Sequence, residues 1–211
     1  DKMVDVIEHV TAVVNTSTSL GGADRESDES LKGRIRLAPE KYSSAGPNLS
    51  YRYWSLEANP DIIDVSVLSP EPGKVTVYVL MQDGNLPSQE TLDAVDAEVN
   101  SEKRRPLSDH VTVFAPAQVS YDLSITYFIS TGDSTLAGSI QEQVQKAVDE
   151  YAKWQRSAIG RDINPSELIR RVQQAGAKRV EVASPDFQAL DASQVAQDAS
   201  INITYGGLED A

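Results

Sequence analysis

Residues 119–130 limit the fold of this chain more than any other stretch. Val119, Tyr121, Leu123, Ile125, Tyr127 and Ile129 alternate with Ser120, Asp122, Ser124, Thr126, Phe128 and Ser130. A period of two over that length predicts an antiparallel strand with one apolar face, and that face must be covered by another layer. The cover follows at once. Ser134 is placed to open an amphipathic helix with Leu136, Ile140, Val144, Ala147, Val148 and Tyr151 on one stripe, broken by Gly160. Asn164-Pro165-Ser166-Glu167 reads as a cap, a proline at the first helical position and an acid in the first turn. Gly176 closes that second helix. Val180 and Val182 then form a strand, Pro185 to Gln194 a loop, and Ile201, Ile203 and Tyr205 a final strand. The order is β-α-α-β-β.

The middle of the chain carries a related unit. Ile63, Val65 and Val67 alternate with polar residues, as do Val75, Val77 and Val79, across the turn Ser69-Pro70-Glu71-Pro72-Gly73. Ser88 caps a helix with Leu92, Val95 and Val99 on its apolar face. Lys103, Arg104 and Arg105 are read as its dipole-compensating end, and Pro106 as its stop. Val111 and Val113 make a third strand, giving β-β-α-β. Upstream, Ser27–Leu37 and Asn48–Ala58 are helical, the second with Asn48 as N-cap and with Leu49, Tyr53 and Leu56 at helical spacing, Tyr51 and Trp54 alongside. A strand at Val10–Val14 and a linker at Thr16–Asp24 precede them. The reading is α+β with antiparallel or mixed sheets, divided into residues 1–24 (strand and linker from a truncated N-terminal domain), 25–59 (helical segment), 60–116 (first unit) and 117–211 (second unit).

Composition narrows the chemistry. With Lys+Arg 19 against Asp+Glu 32 the net charge is −13, which argues against a phosphate-binding or anionic-membrane surface. There is no cysteine, hence no disulfide, thiol nucleophile or thiolate metal site. No stretch approaches the roughly 20 apolar residues of a membrane span. The histidines are His9 and His110, the latter read as a solvated or capping residue beside Asp109. No G-x-S-x-G elbow occurs, and Gly73-Lys74 reads as a turn between strands, not a phosphate loop. Gly21-Gly22 and Gly206-Gly207 read as flexible joints. Asp93, Asp96, Glu98, Glu142, Asp149 and Glu150 fall on the polar sides of helices. The triplets at Asn15, Asn48 and Asn202 are chance glycosylation matches. Tyr51, Tyr53 and Trp54 form the densest aromatic cluster, a core group or a partner's anchor. No catalytic, cofactor-binding or metal residue is assigned.

Several segments in order resemble a known family. They are Gly21-Gly22-Ala23-Asp24-Arg25-Glu26-Ser27-Asp28-Glu29 with Leu31-Lys32-Gly33-Arg34-Ile35, then Arg36-Leu37-Ala38-Pro39-Glu40 with Ala45-Gly46-Pro47 and Tyr51-Arg52-Tyr53-Trp54. Asp64-Val65-Ser66-Val67, the proline-glycine turn, Val75-Thr76-Val77-Tyr78-Val79-Leu80, Arg105-Pro106-Leu107-Ser108-Asp109 and Tyr121-Asp122-Leu123 continue the series. Ile159-Gly160-Arg161-Asp162-Ile163 follows the same pattern. Together they resemble the baseplate assembly protein J family of P2-like contractile-tailed bacteriophages. The resemblance implies a structural virion protein of the baseplate wedge, not an enzyme and without cofactors. It implies partners among other wedge proteins, the tail hub and neighbouring copies, with assembly in the host bacterial cytoplasm. Hinges are expected near Ser17–Asp24 and Asn59–Pro60. The isolated chain is expected to be a monomer or a weak oligomer. A small-molecule-binding regulatory α+β module is the alternative, and a carboxylate hydrolase a third reading.

Overall fold

The long alternating run becomes β4 (Ala117–Ser130) in a computed structural model that describes residues 27–42, 48–102 and 104–210. Tyr121, Leu123, Ile125, Tyr127 and Ile129 all point inward and are buried. β4 is the central strand of a three-stranded sheet in the order β5-β4-β6. β5 (Arg179–Ser184) pairs with it antiparallel, with Ile125 opposite Val182. β6 (Gln194–Glu209) pairs with it parallel, with Leu123 opposite Ile201. The antiparallel pairing expected of this strand is found with β5 and a parallel one with β6, so the sheet is mixed, because the 185–193 loop carries the chain across β4 before β6 begins.

Helices α4 (Ala137–Gln155) and α5 (Pro165–Gln174) cover one face of this sheet. Ile140, Val144, Val148 and Tyr151 of α4 meet Leu168 and Val172 of α5 in a single core with the β4 residues. The start of α4 differs from the sequence reading. A 3-10 stretch over Thr131–Leu136 precedes it, so Ser134 does not open the helix and Leu136 is exposed. α4 also ends at Gln155, well before Gly160. Gly160 is required for another reason: its φ is +70°, and a Cβ there would lie 3.2 Å from the Ala192 backbone. The α5 cap is as read, with the Asn164 side chain accepting from the Ser166 amide at 2.9 Å and Pro165 in the first turn. Gly176 has a φ of +106°, as a left-handed helix terminus requires.

In the first unit, β1 (Ile62–Glu71) and β2 (Lys74–Met81) form the hairpin, with Val65 opposite Val79 and Val67 opposite Val77. Gly73, at φ +76°, closes a turn confined to Pro72-Gly73. A register shift between Ile62 and Asp64 turns Ile62 into the core and Ile63 outward, correcting the inward set at that end. α3 (Gln89–Val99) crosses over to β3 (His110–Phe114), which runs parallel to β2. The Ser88 cap is present, accepting from the Thr91 amide at 3.3 Å. The buried face of α3 is Thr91, Val95 and Val99, with Leu92 only half-buried. α3 ends at Val99, so Lys103-Arg104-Arg105 does not form its last turn. Lys103 itself lies outside the described residues.

α1 (Asp28–Leu37) and α2 (Asn48–Ala58) lie where the sequence places them. The described part of α2 begins at Asn48, and its buried residues are Ser50, Tyr51, Tyr53 and Ser55, while Leu49 is exposed and Leu56 packs only partly against the core. The two buried hydroxyls are satisfied, Ser50 by the Glu40 carbonyl and Ser55 by that of Tyr51, each at 2.8 Å. The small hydroxylated residues can therefore be buried at no hydrogen-bonding cost, while Leu49 stays exposed. α2 packs on β1 and α3, and Tyr51 joins the core of Val65, Val77, Val79 and Val95. Asn59 fastens the α2–β1 turn, its carbonyl accepting from the Ile62 amide at 3.2 Å and its side chain from the Asp61 amide at 2.9 Å. The Val10–Val14 strand and the Thr16–Asp24 linker lie outside the described residues.

Candidate functional site

The individually nominated groups do not converge. His110 is an exposed first residue of β3, whose amide donates to the Gly73 carbonyl at 2.7 Å. Its neighbour Asp109 instead accepts from the Tyr51 hydroxyl at 2.7 Å and from Ser108 at 3.0 Å. Five of the six nominated helix carboxylates are engaged locally: Asp93 by Gln89, Asp96 by Asn100, Glu98 by Arg104, Asp149 by Gln145 and Glu150 by Lys146; Glu142 is an exposed residue of α4. Lys74 of the glycine-lysine turn pairs with Glu71 at 2.7 Å. Gly206 lies in β6 beneath the Phe128 ring, where a Cβ would come within 2.5 Å, so it serves close packing and not flexibility. His9 and Gly21-Gly22 fall outside the described residues. Among those described, no group of three or more metal-ligating side chains comes together.

The aromatic cluster divides as its helical phase dictates. Tyr51 and Tyr53 are core residues, and Trp54 stacks edge-on against Tyr53 at 4.9 Å. Arg104 lies 3.8 Å over the Trp54 ring and donates to the Glu98 carbonyl at 3.4 Å. The basic triplet thus contributes a cation to the last turn of α3 from outside the helix.

What the fold does bring together is a joint between the units. The loop after α4 reaches β1: the Ile159 amide donates to Asp64 Oδ2 at 2.9 Å, while Arg52 of α2 holds Oδ1 at 2.7 Å and the Val65 carbonyl at 2.8 Å. Nearby, Gly84 (φ +75°) lies so close to Arg156 that a Cβ would sit 2.8 Å from both its Cγ and its carbonyl oxygen. Arg156 in turn pairs with Asp198 of β6 at 2.9 Å. The loop is fixed from within as well. The buried Gln155 side chain donates to the carbonyls of Arg161 and Asp162, at 3.0 and 3.1 Å. The Arg161 guanidinium lies 4.3 Å over Trp154 and donates to Ser157 at 2.9 Å, and burial lowers its pKa. Asp162 accepts from the Leu190 amide at 2.9 Å. A cavity of about 260 Å³ beside Arg52, Asp64 and Ile159 marks the seam.

Sequence reasoning missed Asp64 and Arg156 as joint residues. Their only local signals are an acid inside an apolar strand run and an arginine just past a helix end.

Electrostatics adds a second constraint on the same unit. Glu167 accepts from both Arg170 and Arg171, at 2.7 Å from each guanidinium Nε, and its pKa falls to about 2, chiefly through the Arg170 bond. A carboxylate depressed in the folded state stabilises it above the unfolded pKa, and that gain is lost as pH drops through the folded value. Stability of the second unit should therefore decline between about pH 4.5 and 2. Glu167→Gln should flatten the fall, as melting temperatures across that range will show.

Two small α+β units, each a three-stranded sheet covered by helices, and the fastened joint between them define the class of the fold. The sequence comparisons place that class. Residues 43–115 match the Baseplate J-like central domain and residues 121–204 the Baseplate J-like protein C-terminal domain. Over 187 residues the chain is 32% identical to "Baseplate protein J" of Escherichia phage P2, covering 88% of this chain and 61% of that relative. The chain belongs to the baseplate J-like family, a family of structural baseplate proteins. Its fold is also similar to a chain in the cryo-EM structure of the anti-feeding prophage baseplate, with a TM-score of 0.54 and 16% identity. That match covers 85% of this chain and 43% of the other.

Proposed function

We propose that this chain serves as a structural subunit of the baseplate wedge of a contractile tail, working through protein–protein contacts. Its partners are other wedge proteins, the tail hub and neighbouring copies of itself. Its place is the virion baseplate, built in the host bacterial cytoplasm. The carrying observation is the 32% identity to phage P2 baseplate protein J across both units. The local pairing of five of the six helix carboxylates supports a role without catalysis. We divide the working bodies at 116/117, residues 60–116 together with α2 forming one and 117–211 the other. The hinge reading at Asn59–Pro60 gives way to the joint at Asp64 and Gly84, since α2 shares the first unit's core.

Deleting residues 48–210 in the source particle should abolish sheathed, infectious tails, seen by electron microscopy and titre. Normal tails from the deletion would reject the reading. A small-molecule-binding module is the second reading, favoured by a groove of about 550 Å³ between α1 and the α2–β1 corner. A metabolite that raises the melting temperature and is displaced by filling that groove would support it.

A further inference from the structure

The helices α2, α3, α4 and α5 each bury a face, whereas α1, ten residues long, buries none of its residues. Below about 12–15 residues a helix is marginal in water and depends on packing to persist. α1 has little packing to draw on. Its inner side faces the groove of about 550 Å³ against Leu56, Pro60, Ile62 and Ile63 without filling it. Gly33 lies mid-helix on that side, and a Cβ there would meet no other element within 4 Å. The glycine therefore serves no close approach, and it weakens the helix relative to alanine. Leu31 and Ile35 are 42% and 61% exposed, and Leu37, the last residue, is half-buried.

The interactions that favour α1 are mostly local. Ser27 accepts from the Ser30 amide at 3.2 Å, and Lys32 pairs with Glu29 at 2.7 Å. Asp28 and Glu29 stand in the first turn, Arg34 and Arg36 in the last. These favour the helical form of the segment but do not attach it to the α2–β1 corner. Arg34 reaches Glu57 at 3.6 Å through side chains that are 37% and 41% exposed, and exposed pairs contribute little. The firm contact comes after the helix. In the 3-10 stretch Ala38–Tyr42 the Glu40 carbonyl accepts from the buried Ser50 hydroxyl at 2.8 Å, which fixes that end to α2.

We infer that α1 is a strap, pivoting on the Ala38–Tyr42 stretch between a closed form over the α2–β1 corner and an open form that bares Leu56, Pro60 and Ile63. Opening costs little because closing buries little. Once off the corner, so short a helix melts. Filling the groove supplies the burial that the closed form lacks, and so shifts the population toward it. The strap is a property of the chain alone, so its test is independent of both functional readings above.

Amide hydrogen exchange on the full chain reads the opening directly. The amides from Leu31 to Leu37 should exchange within about tenfold of the rate of an unstructured peptide, while those around Tyr53, Val77 and Ile125 are protected at least about 1,000-fold. Two substitutions then separate helix propensity from closure, since alanine and leucine have similar propensities. Gly33→Ala should slow exchange in α1 by about two- to fivefold through the helix alone. Gly33→Leu places its side chain in the groove and should slow it several-fold further, with both cores unchanged. Protection of α1 equal to that around Tyr53 in the unsubstituted chain would overturn the proposal, because α1 would be a fixed part of the first unit. Exchange in Gly33→Leu no slower than in Gly33→Ala would overturn it too, because α1 would then fray without closing on the corner.

Discussion

Replacing Tyr151 with alanine should lower the stability of the second unit by about 3–5 kcal/mol, the range for removing a large buried ring. Tyr151 is fully buried on α4, its ring 6.0 Å from that of Trp154, among Leu123, Val148 and Leu168. Its hydroxyl donates to the Asn164 carbonyl at 3.3 Å, so the ring also holds the residue that caps α5. Burial pushes the phenol up to about 12, which keeps it a neutral donor across the working pH range. Tyr151→Phe keeps the ring and loses one modest hydrogen bond, so it should cost only about 1 kcal/mol. Amide exchange will separate the units. In Tyr151→Ala the amides around Ile125 should lose protection while those around Val77 keep theirs, if each unit carries its own core. Equal loss in both would mean that they unfold together.

The second large effect concerns the joint. Gly84→Ala combines a left-handed backbone, unfavourable for alanine by about 1–2 kcal/mol, with a Cβ forced against the Arg156 backbone. Gly207 is the matched control: its φ is +104°, and a Cβ there would meet nothing within 4 Å. Gly207→Ala should therefore carry the backbone cost alone, and Gly84→Ala at least twice as much. Gly84→Ala should also expose the Ile159 amide that Asp64 holds, raising its exchange rate while the two cores stay protected. Unchanged exchange at Ile159 would show that the Gly84 contact does not hold the loop against β1.

These two substitutions mark the boundary of what the sequence makes legible. Tyr151 stands in a helical stripe facing the longest alternating run in the chain, so its burial follows from local periodicity. The same logic finds the hairpin, the crossover helix and the Asn164 cap. It errs where a local choice depends on neighbours. The register shift before Asp64 exchanges Ile62 for Ile63, and α2 turns Ser50 and Ser55 inward because the Glu40 and Tyr51 carbonyls receive them. The joint is beyond periodicity altogether. Asp64 and Ile159 are 95 positions apart, and neither carries a pattern that names the other. The family resemblance was legible because the order of turns and helix boundaries survives even where individual facing residues are misread.

The central claim is that this chain builds a contractile-tail baseplate. Cryo-EM of the native particle tests it most directly, by fitting residues 48–210 into the platform density. Density matching both units, repeated around the tail axis and touching neighbouring baseplate chains, is the expected result. A complete baseplate reconstruction with every density accounted for by other polypeptides would contradict it.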